Sequence, residues 1–222
     1  MCSRVLVLSG FLAMALFTLF TNPMSRGQIA RWALHEVAAD YETVLVGWEA
    51  KPKGLLEANP MAKVPTLVHH APQGDRVVTE TAAICLYLAE VLPESGLGPQ
   101  GDELADYLRW TFFAAGPVEQ AVTARNLGFE PKEPRQQGMA GFGSYDRTVD
   151  ALAGHLAENA FVCGERFTMA DVYVGSHVDW GVGFKSLPER PEFIAYLERV
   201  RDRPAYRAAK AVDGKLIAEM QA

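Results

Sequence analysis

Residues 59–68 read NPMAKVPTLV, and residues 79–92 read TETAAICLYLAEVL. In the first stretch, Val64-Pro65 stands at the mouth of a short β-run, Pro65 to His69. In the second, Glu80-Thr81 heads an amphipathic helix in which Ala83, Leu86, Tyr87 and Glu90 follow at helical spacing. An X-Pro bond tolerates the cis form far better than other peptide bonds. A cis bond before a strand would turn the Val64 N–H and C=O outward, free to pair with an extended peptide as an added strand. A helix N-terminus nearby offers unpaired N–H groups and a positive dipole end to a carboxylate. Together the two features suit a small acidic peptide.

Upstream of these stretches, Ala15–Thr21 reads as strand, Arg26–Ala38 as helix and Tyr41–Val46 as strand, with a short helix over Leu55–Ala58. Arg76–Thr79 completes a hairpin around Gly74-Asp75, and Glu80–Leu92 is the following helix. The order β-α-β-α-β-β-α predicts an α/β sheet covered by helices. Pro93 to Gly101 (PESGLGPQG) is rich in Pro, Gly and Ser and reads as a linker. Beyond it no strand is predicted. Asp102–Leu127, Glu133–Glu158, Thr168–Gly183, Pro191–Asp202 and Pro204–Glu219 read as helices, so the second domain is expected to be all-helical. The predicted organisation is an extension over 1–13, an α/β domain over 14–92, a linker over 93–101 and a helical domain over 102–222. In FTMADVYV, Thr168 and Asp171 form a capping-box variant, with Phe167 and Val172 spaced as a hydrophobic staple. That gives Asp171 a structural part.

From Leu16 to Ala209 the chain resembles the cytosolic glutathione S-transferases of bacterial, serine-type kind. The resemblance implies a thioredoxin-like N-terminal domain followed by an all-helical C-terminal domain, with glutathione as co-substrate. Members hold the cysteinyl part of glutathione against the backbone before a cis-proline, and its γ-glutamyl end with an acidic and a hydroxyl residue, normally Glu-Ser. Here the second is Thr81, which keeps the hydroxyl.

Carried over residue by residue, the pattern implies that Val64 pairs through its backbone with the cysteinyl unit. Lys63 approaches the glycyl carboxylate, with Lys51 a second candidate. Glu80 meets the γ-glutamyl ammonium and Thr81 its carboxylate. The chemistry needs a thiolate, because a free cysteine thiol titrates near ~8.5 and is mostly protonated at neutral pH. A hydroxyl donor between the first strand and first helix would stabilise it, and that stretch is Thr21-Asn22-Pro23-Met24-Ser25-Arg26-Gly27. Ser25 matches the catalytic Ser or Cys position of related bacterial enzymes and is chosen, with Thr21 and Asn22 as alternatives. Ser25 equally suits a helix cap. Tyr107, Trp110 and Phe113 recur at three-residue spacing, a pattern common to interhelical cores. Of these, Tyr107 and Trp110 are the candidates for a second-substrate pocket.

Charge is balanced, with 21 basic and 27 acidic residues and no long Lys/Arg cluster, which argues against a nucleic-acid face. Three scattered cysteines, Cys2, Cys85 and Cys163, suit a reducing compartment. The five histidines show no metal-ligand spacing, and there is no GxSxG, GxGxxG or P-loop. No metal is expected. The uncharged run over residues 5–25, with Ala13-Met14-Ala15, imitates a secretory signal. The preferred reading is a cytoplasmic protein with a dispensable extension, a periplasmic one the alternative; a membrane helix would consume a segment that the fold needs. The resemblance further implies a homodimer acting on an apolar electrophile or a peroxide. A glutathione-dependent reductase, isomerase or ether-cleaving enzyme is the rival within enzymes. A binding or scaffold protein on the same fold is the rival outside them.

Overall fold

The computed structural model describes residues 15–221, so the expected extension over 1–13 lies outside the described residues, as does the part of the signal-like run over 5–25 that precedes residue 15. Strand β1 (Phe17–Thr21) is followed by α1 (Gly27–Glu36), β2 (Tyr41–Leu45), α2 (Lys53–Ala58), β3 (Thr66–His69), β4 (Arg76–Val78) and α3 (Thr81–Val91). The strands form one sheet in the order β2-β1-β3-β4, with β1 parallel to β2 and the other pairs antiparallel. Alternation along a strand sends successive side chains to opposite faces. Phe17, Leu19 and Leu67 accordingly join the main core with α1 and α3, while Phe20 and Val68 pack with Val46 and Leu55 on the other face. This is the expected α/β domain.

The second half contains α4 (Leu104–Phe113), α5 (Glu119–Leu127), α6 (Pro134–Met139), α7 (Tyr145–Glu158), α8 (Met169–Gly183), α9 (Pro191–Arg201) and α10 (Pro204–Gln221). Among its described residues there is one isolated bridge, Phe161 to Gly164, and no strand. Two details differ from expectation. The stretch 102–127 contains a π-helical turn over Ala114–Val118, which accommodates Pro117 inside an otherwise continuous helix. The stretch 133–158 is broken at Ala140–Ser144, where Gly143 adopts a positive φ of 66° and Ser144 caps α7 by accepting from the Arg147 N–H. No helix of the described residues is long and apolar enough to cross a membrane.

The two halves are clasped through α1, which packs against α8 and α10. Arg31 on α1 is buried and donates through Nε to Asp213 on α10 at 2.9 Å, and through Nη1 to Tyr41 and Thr43 at 3.0 Å each. Arg203 grips both carboxylate oxygens of Glu36, at 2.7 and 2.6 Å. The linker is also held. Arg166 donates to the carbonyls of Gly96 and Gly98 and to the Glu103 carboxylate. Asp171 is buried at the start of α8 and accepts from the N–H groups of Val162 and Thr168 and from the hydroxyls of Thr168 and Tyr196. The capping box expected from sequence is present.

Candidate functional site

The loop from Thr21 to Gly27 links the end of β1 to the start of α1, and its own polar groups shape it. Asn22 donates to the Val46 carbonyl at 2.9 Å and accepts from the Met24 N–H at 2.9 Å. Its backbone carbonyl receives the Ser25 hydroxyl at 2.7 Å, and Ser25 Oγ accepts the Gly27 N–H at 3.0 Å. Ser25 therefore caps the start of α1 and remains half-buried beside open space. The loop is buttressed from behind: Gln28 donates to the Pro23 carbonyl at 2.5 Å, and Lys210 on α10 donates to Gln28 at 2.9 Å. The alternatives Thr21 and Asn22 are both buried, Thr21 behind Gly27 and Asn22 pinned to Val46.

Across from this loop, Asn59 forms an Asx turn with the Met61 N–H at 3.0 Å and donates to Thr66 Oγ1 at 3.0 Å and to the Lys63 carbonyl at 3.2 Å. Thr66 donates to the same carbonyl at 2.9 Å. These bonds fix the turn that presents Val64, whose peptide bond to Pro65 is cis. No hydrogen bond among the described residues uses the Val64 N–H or C=O. Glu80 precedes α3 with a positive φ of 63° and Ala62 has one of 52°, conformations that non-glycine residues adopt at a cost and that cluster at functional sites. Thr81 opens α3, where the first N–H groups lack intrahelical partners.

Two cavities meet here. One, of about 360 Å³, is bounded by Arg26, Lys63, Val64, Glu80, Thr81, Glu119 and Tyr173. The other, of about 570 Å³, is bounded by Ser25, Arg26, Trp48, Lys51, Lys63, Val64 and Trp180. Ser25, Lys51, Lys63, Val64, Glu80 and Thr81 are thus brought to one cleft. Lys51 donates to the Gly47 carbonyl at 2.9 Å. Among the described residues no group of three His, Cys, Asp or Glu side chains could hold a metal ion.

Tyr107 and Trp110 are not at this cleft, which corrects the expected pocket. Both are buried in the main core, and Trp110 stacks on His155 of α7 with ring centroids 4.0 Å apart. Their stripe faces neighbouring helices, where burial of the rings stabilises the bundle. The helical domain instead supplies Glu119 and Tyr173 to the first cavity and Trp180 to the second, while His177 and Phe184 border a third cavity beside Arg26. Arg26 lies between the two halves and pairs with Glu119 at 2.5 Å. Burial, with the Arg26 guanidinium assisting, pushes the His177 imidazole down to about 4. None of these carries a local motif, and their approach depends on contacts across the two halves. Asn59 alone had a signal, as the first residue of an Asn-Pro turn.

Residues 15–90 match the family of glutathione S-transferase N-terminal domains, and residues 119–199 the family of glutathione S-transferase C-terminal domains. Glutathione S-transferase GstA of Escherichia coli O157:H7 is 25% identical over 203 residues, which cover 88% of this chain and 98% of that protein. Elongation factor 1-gamma 3 of Oryza sativa subsp. japonica is 31% identical over 159 residues, but this chain matches 36% of its length. Among solved structures, a glutathione transferase from Methylococcus capsulatus superposes with a TM-score of 0.72 at 28% identity, covering 89% of this chain and 98% of that one. A sphingomonad glutathione S-transferase complexed with glutathione gives a TM-score of 0.70 at 27% identity, with the same coverage of 89% and 98%.

Proposed function

This chain belongs to the glutathione S-transferase family, and we propose that it binds glutathione along the cleft and directs its thiolate at an electrophile or a peroxide. The observation that carries this reading is the unpaired Val64 backbone, which lies beside Thr81 at one cavity and beside Ser25 at the next. An extended tripeptide pairs with Val64 as an added strand. Its γ-glutamyl end then reaches Glu80 and Thr81, its glycyl carboxylate lies near Lys63 and Lys51, and its sulfur near Ser25. The Ser25 hydroxyl turns from the Asn22 carbonyl toward the sulfur and donates to it, while the Gly27 N–H continues to fix Oγ. Each pKa unit by which this donor lowers the thiol is worth about 1.36 kcal/mol. The thiolate then attacks the electrophile held on the helical side of the cleft. The working form in this proposal is a cytoplasmic homodimer, and the free thiols of Cys85 and Cys163 suit a reducing compartment.

A second reading, a glutathione-binding protein without turnover, is favoured by the engagement of the Ser25 hydroxyl with the Asn22 carbonyl. Retention on immobilised glutathione followed by conjugation of 1-chloro-2,4-dinitrobenzene separates the two. Retention with turnover supports the enzyme, and retention alone supports the binding protein. Ultraviolet titration of bound glutathione should show a lower thiol pKa in the parent than in Ser25→Ala. Equal values would remove Ser25 from the chemistry.

A further inference from the structure

We propose that the second substrate carries a negative charge, an aromatic carboxylate being the class that fits, and that Arg26 recognises it by exchanging Glu119 for the substrate's anion. The inference rests on the transferase reading for what the bound anion is for, and on the geometry around Arg26 for how it is held.

Arg26 borders both cavities of the cleft and also a third of about 260 Å³ on the helical side, bounded by Val122, Asn126, His177, Trp180 and Phe184. It is the residue after Ser25, and the two border the same cavity. Its present partner is replaceable. The Arg26 and Glu119 side chains are 48% and 32% exposed, and ion pairs of that exposure contribute little.

Glu119 also has somewhere to go. His177 Nε2 is enclosed and has no hydrogen-bond partner, and it stands 3.9 Å from Glu119 Oε2, just beyond bonding distance. An enclosed polar nitrogen without a partner is a cost that native structures seldom leave uncompensated. When a substrate anion takes Arg26, a small movement of the Glu119 carboxylate lets it accept an Nε2–H bond from His177. The exchange leaves every group partnered. The rings of Trp180 and Phe184, with centroids 6.4 Å apart, offer the adjoining apolar wall for the body of the substrate.

A matched pair of probes tests this: 4-chloro-3-nitrobenzoate and the uncharged 4-chloro-3-nitrobenzamide. In conjugation the glutathione sulfur bonds to the ring carbon, and chloride leaves with the C–Cl electron pair. Binding is read separately by equilibrium dialysis with S-methylglutathione, which cannot react. The benzoate should bind the parent about fivefold more tightly than the benzamide, the scale of one part-exposed ion pair. Arg26→Gln should abolish the preference and Arg26→Lys should restore part of it. Glu119→Gln should enlarge it by removing the competitor, and His177→Phe should shrink it.

Equal affinity for the two probes in the parent and in Glu119→Gln overturns the inference, and so does loss of S-methylglutathione binding in Arg26→Gln. If S-methylglutathione binds and both probes are conjugated with no charge preference, the transferase reading stands without this one. If the preference appears and S-methylglutathione does not bind, the anion site stands and the transferase reading fails.

Discussion

Replacing Gly27 with alanine tests the packing of the loop that carries Ser25. A Cβ at Gly27 would lie 1.8 Å from Thr21 Oγ1, 3.0 Å from Thr21 Cβ and 3.1 Å from Ser25 Oγ. Thr21 is fully buried and its hydroxyl has no hydrogen-bond partner, so it cannot yield by moving into solvent. Overpacking of this kind costs about 1–3 kcal/mol. Alanine returns about 0.4–1 kcal/mol through the reduced freedom of the unfolded chain. The net loss should be about 1.3 kcal/mol at the middle of these ranges, or a melting temperature lower by about 3–5 °C for a chain of this size. Thr21→Ala removes the blocking oxygen and sacrifices no hydrogen bond. The double variant should therefore recover at least half of the loss, giving a favourable coupling of about 1 kcal/mol in a double-mutant cycle read by thermal or urea unfolding. A Gly27→Ala protein as stable as its parent, or strict additivity of the two changes, would refute the close-approach argument.

Thr81→Ala should raise the Michaelis constant for glutathione at least tenfold while leaving saturated turnover nearly unchanged, since a contact remote from the sulfur is alike in ground and transition states and is worth ~1.5–3 kcal/mol. Unaltered affinity would remove the γ-glutamyl assignment. The His177 imidazole titrates at about 4 in the folded chain and near ~6.5 when unfolded. The unfolded state therefore binds more protons between those values. Stability present above pH ~6.5 is lost as pH falls toward 4, at up to ~1.4 kcal/mol per unit. His177→Leu should flatten the urea midpoint across that window, and an unchanged slope would contradict the burial argument. In Asp171→Asn one carboxylate oxygen becomes an NH2 group facing two donors, so unfolding measurements should show a loss of about 3 kcal/mol. Parent-like stability would place its contribution elsewhere.

The α/β half was legible because its punctuation is local. Pro65, Gly74-Asp75 and Glu80-Thr81 mark element ends, and the observed strands and helices lie within a few residues of those expected. The Asp171 cap was legible for the same reason, since its partners begin three residues away. Tyr107 and Trp110 were not, because spacing gives the existence of a stripe and not which neighbour it meets. His155, on a different helix, decides that. The π turn escaped because AAGPV has helical composition on both sides of its proline. The cleft residues Arg26 and Glu119 are 93 positions apart and meet only once both halves are packed. The break before α7 had a signal in Gly143-Ser144, a turn residue followed by an N-cap, that the apolar periodicity over 133–158 masked.

The clasp around α1 bears on how the cleft can work. Arg31 reaches Asp213, Glu36 holds Arg203, Lys210 meets Gln28, and Arg166 fastens the connecting segment. The helix that begins beside Ser25 is in this sense shared property, held by the C-terminal helix as firmly as by its own sheet. Hinge closure about residues 93–101 would have to break buried charge pairs, which is far more costly than turning surface side chains. The cleft is therefore a standing aperture whose width is set when the chain folds. Adjustment of the cleft to a ligand falls to side-chain rotations at its rim, which occur in picoseconds to nanoseconds and involve no domain swing.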